Sequence, residues 1–97
     1  ILLLTCAAAY AQTRTYIDGS GMIYSYAVNE NGAVMTPTDG SAPLYLGRSC
    51  DAYSQRYGAG KWGWAGGGFV IEFPEQQFGF ARQELFPHPA PDSGCML

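Results

Sequence analysis

The densest run of side chains able to do chemistry is Tyr53-Ser54-Gln55-Arg56-Tyr57-Gly58-Ala59-Gly60-Lys61-Trp62-Gly63-Trp64-Ala65-Gly66-Gly67-Gly68. If residues 61–65 are extended, Trp62 and Trp64 fall on one face with Gly63 between them. Rings left uncovered by neighbouring glycines stack on sugars or on a partner's side chains, and Tyr53, Tyr57, Arg56 and Lys61 stand nearby as polar handles. The competing use of two tryptophans in so small a chain is a core, with the glycines making room for the rings. Trp62, Trp64, Tyr53, Tyr57, Arg56 and Lys61 are therefore the candidate ligand-binding set.

No catalytic constellation stands beside this run. Gly58-Ala59-Gly60-Lys61-Trp62-Gly63 spells G-x-G-x-x-G, but a dinucleotide site needs a helix whose N-terminus faces the pyrophosphate. The glycines at 66–68 cannot start one, and a P-loop needs Ser or Thr after Lys61, where Trp62 stands. The single histidine, His88, lies between Pro87 and Pro89 and reads as a solvated tail residue, badly placed to serve as a base. Asp51, Glu72, Glu75 and Glu84 offer carboxylates for an acid/base pair on a cell-wall polymer, yet nothing in their spacing brings two together. The cysteines lack a C-x-x-C spacing, so no metal or cofactor is expected.

Only 13% of the 97 residues are charged, and seven Tyr, five Phe and two Trp supply ample area to bury, which argues for one small folded domain. Five basic residues against eight acidic, scattered singly, form no patch able to displace counterions from phosphates, so nucleic acid is excluded as a partner. No apolar run reaches the roughly 20 residues of a membrane-spanning helix.

Ile1-Leu2-Leu3-Leu4-Thr5-Cys6-Ala7-Ala8-Ala9 is apolar throughout, and Ala9-Tyr10-Ala11 before Gln12 fits the small-x-small pattern of a secretory cleavage site. Residues 1–11 accordingly read as the remnant of an N-terminally truncated signal, with a buried strand or helix of the domain as the competing reading. Leu3-Leu4-Thr5-Cys6 offers a second export route, resembling a bacterial lipoprotein signal in which Cys6 is acylated, although Thr5 departs from the small residue usual there. Either route gives a periplasmic or secreted protein. In that oxidising space Cys50 and Cys95 should pair, tying a Pro-rich tail at 87–97 to the middle of a β domain at 12–86.

Strand patterns dominate that domain. Met22, Tyr24, Tyr26 and Val28 alternate with Ile23, Ser25 and Ala27; Asn31-Gly32 makes a hairpin turn; and residues 33–36 return until Pro37. Residues 44–50 read as extended, and residues 51–60 as a loop with a short helix capped by Asp51 and ended by Gly58. Phe69, Ile71 and Phe73 point one way in a second hairpin, whose return strand begins at Phe78. The pattern predicts a mainly β fold, a small antiparallel sheet curled into a partial barrel or sandwich.

Tyr57, Trp64 and Gly66-Gly67, in a small β domain with a cysteine near its end, resemble the bacterial envelope inhibitors of C-type lysozyme. In that family a Ser-Gly-x-x-Tyr stretch precedes a Trp-x-x-Gly stretch, and a serine and a lysine from those loops enter the lysozyme active site. Ser54-Gln55-Arg56-Tyr57 is a broken version of the first, and no lysine stands between Trp64 and Gly67. The residues point first to a non-catalytic envelope domain binding a protein or glycan through residues 53–68. A lysozyme inhibitor and a small carboxylate-dependent hydrolase are the alternatives.

Overall fold

A computed structural model describes residues 14–90 and 94–97. The leader expected over residues 1–11, with Cys6, lies outside the described residues. Eight strands follow one another: β1 (Arg14–Ile17), β2 (Ile23–Asn29), β3 (Gly32–Pro37), β4 (Leu44–Gly47), β5 (Asp51–Ser54), β6 (Gly58–Ala65), β7 (Gly68–Phe73) and β8 (Gln76–Phe80). Each pairs antiparallel with the next, giving one up-and-down sheet that curls into a nearly closed barrel.

Alternation decides which face turns inward. Tyr24 and Tyr26 on β2, Leu44 and Leu46 on β4, and Phe69, Ile71 and Phe73 on β7 are buried, while residues between them face out or lie half-covered. These meet Tyr16, Met35, Trp62 and Phe80 in a single core. Phe69 and Phe80, opposite each other across β7 and β8, stack with centroids 4.4 Å apart. Each fully buried large side chain contributes about 1.5–3 kcal/mol to this cluster.

The short helix expected within residues 51–60 is replaced by β5, a turn and the start of β6, and the described residues contain no helix. Ser54 explains the difference. Its Oγ accepts the amides of Arg56 and Tyr57 at 3.0 and 3.1 Å, satisfying the turn locally so that the chain reverses instead of winding. Ala52 and Ser54 then sit in the interior, with Asp51 and Tyr53 outside.

The barrel closes without a regular ladder between β1 and β8. Gly19 N–H donates to the Gly79 carbonyl at 3.0 Å, and the Gln83 side chain does the rest. Its Nε2 donates to the Ile17 carbonyl at 2.8 Å and its Oε1 accepts the Ile17 amide at 3.0 Å, so one side-chain amide takes the place of a neighbouring strand.

The chain beyond β8 plugs one end of the barrel; it is not an extended tail held chiefly by its cysteine. The Tyr16 hydroxyl donates to the Glu84 carbonyl at 2.7 Å and accepts the Phe86 amide at 3.0 Å. The Tyr26 hydroxyl donates to the Pro87 carbonyl, and Leu85 and Ala90 are buried. Trp64 then pairs with the chain's end, its amide donating to the Cys95 carbonyl and its carbonyl accepting the Leu97 amide. Gly63 allows that approach, since a Cβ there would lie 2.9–3.2 Å from Leu97, Met96 and Cys95. Cys50 and Cys95 form the expected disulfide, 45 residues apart in sequence. A loop of that length stabilises the folded state by about 4 kcal/mol in the chain-entropy picture.

Replacing Gln83 with Ala should therefore loosen the seam alone. The expected outcome is a loss of about 1 kcal/mol in denaturant unfolding, with Ile17 amide exchange accelerated and the amides of β4 to β6 unchanged.

Candidate functional site

With residues 84–90 and 94–97 across one end, the opposite end of the barrel remains open. The β1–β2, β3–β4, β5–β6 and β7–β8 turns surround it, because antiparallel strands place alternate turns at the same end. Inside this mouth lies a cavity of about 150 Å3, lined by Asp18, Ser20 and Tyr24 on one side and by Ser41, Arg56, Tyr57 and Phe78 among others. Tyr57 is half-buried with its ring 5.6 Å from those of Phe73 and Phe78, so its position is set by the core. Arg56 lies exposed at the rim with its guanidinium 5.4 Å from the centre of the Tyr57 ring. No ion pair or side-chain hydrogen bond to Arg56 occurs among the described residues.

Asp18 builds the wall of this mouth. The carboxylate is buried, and its Oδ1 accepts the Ser20 amide at 2.9 Å, the Ser20 hydroxyl at 2.7 Å and the Met22 amide at 3.1 Å. Its Oδ2 accepts the Tyr24 hydroxyl at 2.7 Å. Burial pushes the carboxyl's pKa upward, but the Ser20 and Tyr24 hydroxyls and the Met22 and Ser20 amides outweigh it and hold the group below the usual carboxylate range. The Tyr24 phenol moves up, first through burial, then because ionising it would remove the proton it donates to Asp18 and set two anions together. A charge satisfied four times over positions the β1–β2 turn and has no proton to give near neutral pH.

Of the six candidate residues, only Arg56 and Tyr57 line the mouth. Trp62 and Trp64 do share a face of β6, but that face is the interior. Trp62 is fully buried, with its Nε1 donating to the Gly47 carbonyl at 2.9 Å, and the Trp64 ring is half-covered. Gly60 and Gly63 admit close backbone and tail approach in place of uncovering the rings. Tyr53 and Lys61 stand exposed on the outer surface.

His88 is no solvated tail residue. Its ring packs 5.1 Å from Trp64 and 6.1 Å from Trp62, its Nδ1 accepts the Ala90 amide, and its Nε2 is buried without a hydrogen-bond partner among the described residues. The four carboxylates are spread over the outside of the barrel. Asp51 and Glu72 lie on the convex outer face, on either side of Lys61, which pairs with Glu72 at 3.8 Å. Glu75 and Glu84 are exposed in the β7–β8 turn and the plug. No group of three or more His, Cys, Asp or Glu side chains suited to a metal occurs among the described residues. Likewise, no helix there is long and apolar enough to cross a membrane.

Comparison with known protein families, with curated proteins and with solved structures finds no match.

Because the folded-state pKa of Asp18 is depressed, its contribution is complete above the ordinary carboxylate pKa of about 4 and is lost as pH falls through the lower folded value. Asp18→Asn should cost about 1–3 kcal/mol at neutral pH and flatten the fall in stability below about pH 4. Urea unfolding of both proteins across the acid range measures the two effects together.

Proposed function

We propose that this is a non-catalytic, exported binding domain of the cell envelope, which receives one side chain of a protein partner at the open mouth of its barrel. The mouth cavity, with Arg56 at its rim, carries the reading. At about 150 Å3 it falls well short of the roughly 300–1,000 Å3 of small-molecule pockets, and suits a protruding side chain better than a free ligand. The Arg56 guanidinium, with no ion pair among the described residues and with Tyr57 beside it, favours a carboxylate, while the Ser20 and Ser41 hydroxyls already donate to Asp18 and Asp39. A disulfide supports export, since such bonds persist in oxidising compartments. Catalysis gains no support, as the buried Asp18 carboxylate is fully engaged, and Asp51 and Glu72 flank Lys61 on the outside of the sheet.

Titrating the 15N-labelled protein with the peptide acetyl-Gly-Glu-Gly-amide tests this. Saturable shifts at Ser20, Ser41, Arg56 and Tyr57 that vanish in Arg56→Gln are expected. Shifts scattered over the surface, or none at millimolar peptide, overturn it.

A second reading, a lysozyme inhibitor, draws on a different set of residues. Ser54 to Tyr57 sit at the open end and Trp64 to Gly67 at the plugged end, separated by β6, so those two stretches cannot share a surface. Ser49-Cys50-Asp51-Ala52-Tyr53 has the same Ser-Gly-x-x-Tyr spacing with Cys in the glycine position. Cys50 has φ 68°, a conformation that favours glycine, and its β4–β5 turn lies at the same end as Gly66 and Gly67. Slowing of a C-type lysozyme on a cell-wall suspension, relieved at least tenfold by Ser49→Arg, is the expected result. An unchanged lytic rate at large excess of the protein removes this reading.

A further inference from the structure

We infer that the outer face of β4 and β5 is a second binding site, a shelf for a neutral oligosaccharide, built on Tyr45 and Tyr53 and separate from the barrel mouth.

The alternation that buries Leu44, Leu46, Ala52 and Ser54 forces Tyr45 and Tyr53 outward from paired positions. They are 42% and 51% exposed, high values for rings that could have been covered, and their planes lie within 32° of each other with centroids 6.4 Å apart. Two neighbouring rings in that arrangement form one continuous apolar strip. Against it lies a depression of about 270 Å3, whose lining includes Asn29, Asn31, Val34 and Asp51 as well as both tyrosines.

The polar groups decide what kind of molecule fits. Asn29 Oδ1 is used by the Asn31 amide at 2.8 Å, which leaves the Asn29 amide nitrogen as a donor. The Asp51 carboxylate lies over Gly47, where any Cβ would fall 2.1 Å from its Oδ1, so glycine is what lets the acceptor rest flat on the shelf. Asp51 is the only ionisable group in the lining apart from the two phenols. Arg48, in the adjoining turn, is directed to the Glu30 carbonyl, and Lys61 pairs with Glu72.

A carboxylate with no cation in the depression disfavours nucleic acids, anionic wall polymers and acidic protein surfaces. Side-chain amides and a carboxylate beside bare rings match the alternating hydroxyl edges and C–H faces of a sugar. An apolar protein partner would leave Asp51 and the asparagines desolvated without compensation. The depression is open and slightly below the range of enclosed pockets, so one or two sugar units of a longer chain would occupy it.

Saturation-transfer NMR with cellohexaose and with the hexamer of N-acetylglucosamine tests the proposal on the intact, oxidised protein. Transfer to at least one of them, with 15N shifts clustered at residues 29–34, 45 and 51–53, is expected. Tyr45→Ala and Tyr53→Ala should each weaken binding at least fivefold, Tyr53→Phe less than Tyr53→Ala, and Arg56→Gln not at all. Because both rings are exposed, thermal unfolding of these variants should stay close to the parent, which separates lost binding from lost folding. Absence of transfer from both sugars, or binding unchanged in both alanine variants, overturns the shelf. Loss in Arg56→Gln alone would move the sugar to the mouth and overturn it equally.

Discussion

The hydroxyls of Tyr16 and Tyr26 reach from the strands into the main chain of residues 84–87, and the rest of the architecture depends on that junction. An up-and-down sheet of eight strands has two open ends, and each exposes core side chains to water unless something covers it. Here the chain beyond β8 covers one end, held by two phenols, by main-chain bonds to Trp64 and by the Cys50–Cys95 bond. With the plug in place, Trp62 is interior, Trp64 is half-covered, and the end ringed by Asp18, Arg56 and Tyr57 stays open. The position of the mouth thus follows from where the chain goes after β8.

The strands themselves were legible where alternation is strict and bulky. Phe69, Ile71 and Phe73 separated by Val70 and Glu72 admit one orientation, and the β2–β3 hairpin forms where Asn-Gly marks it, although its turn is Glu30-Asn31 with Gly32 already paired to Asn29. Residues 51–60 were not, because the same Ser and Asp oxygens that cap a helix also satisfy a reversing turn. The choice is made at Ser54, whose Oγ takes the Arg56 and Tyr57 amides while Ala52 and Ser54 are buried in the sheet, a burial that no local pattern reports. The plug was hidden for a related reason. Pro87-His88-Pro89-Ala90 has the composition of a solvated tail, and its partners Tyr16 and Tyr26 lie 61–70 residues away.

The candidate site was legible only in fragments. Arg56 and Tyr57 line the mouth, but Asp18, Ser20 and Tyr24, which complete it, come from the first hairpin and carry no spacing that links them to residue 56. Tryptophans drew attention by rarity, whereas burial removed Trp62 from contention and left Trp64 half-covered. The exposed Tyr45 could have been found. Leu44-Tyr45-Leu46 in a strand sets its ring opposite two residues that must be inside, so outward orientation follows from the pair of leucines.

The pairing of Trp64 with the main chain at Cys95 and Leu97 has a consequence for the order of events during synthesis. A growing polypeptide can assemble hairpins from β1 to β8 as they emerge, yet the barrel keeps one end bare until residue 97 has cleared the ribosome or the translocation pore. Closure therefore waits on residues 95–97, and chains halted before them present an uncovered aromatic interior to whatever chaperone or protease stands nearby.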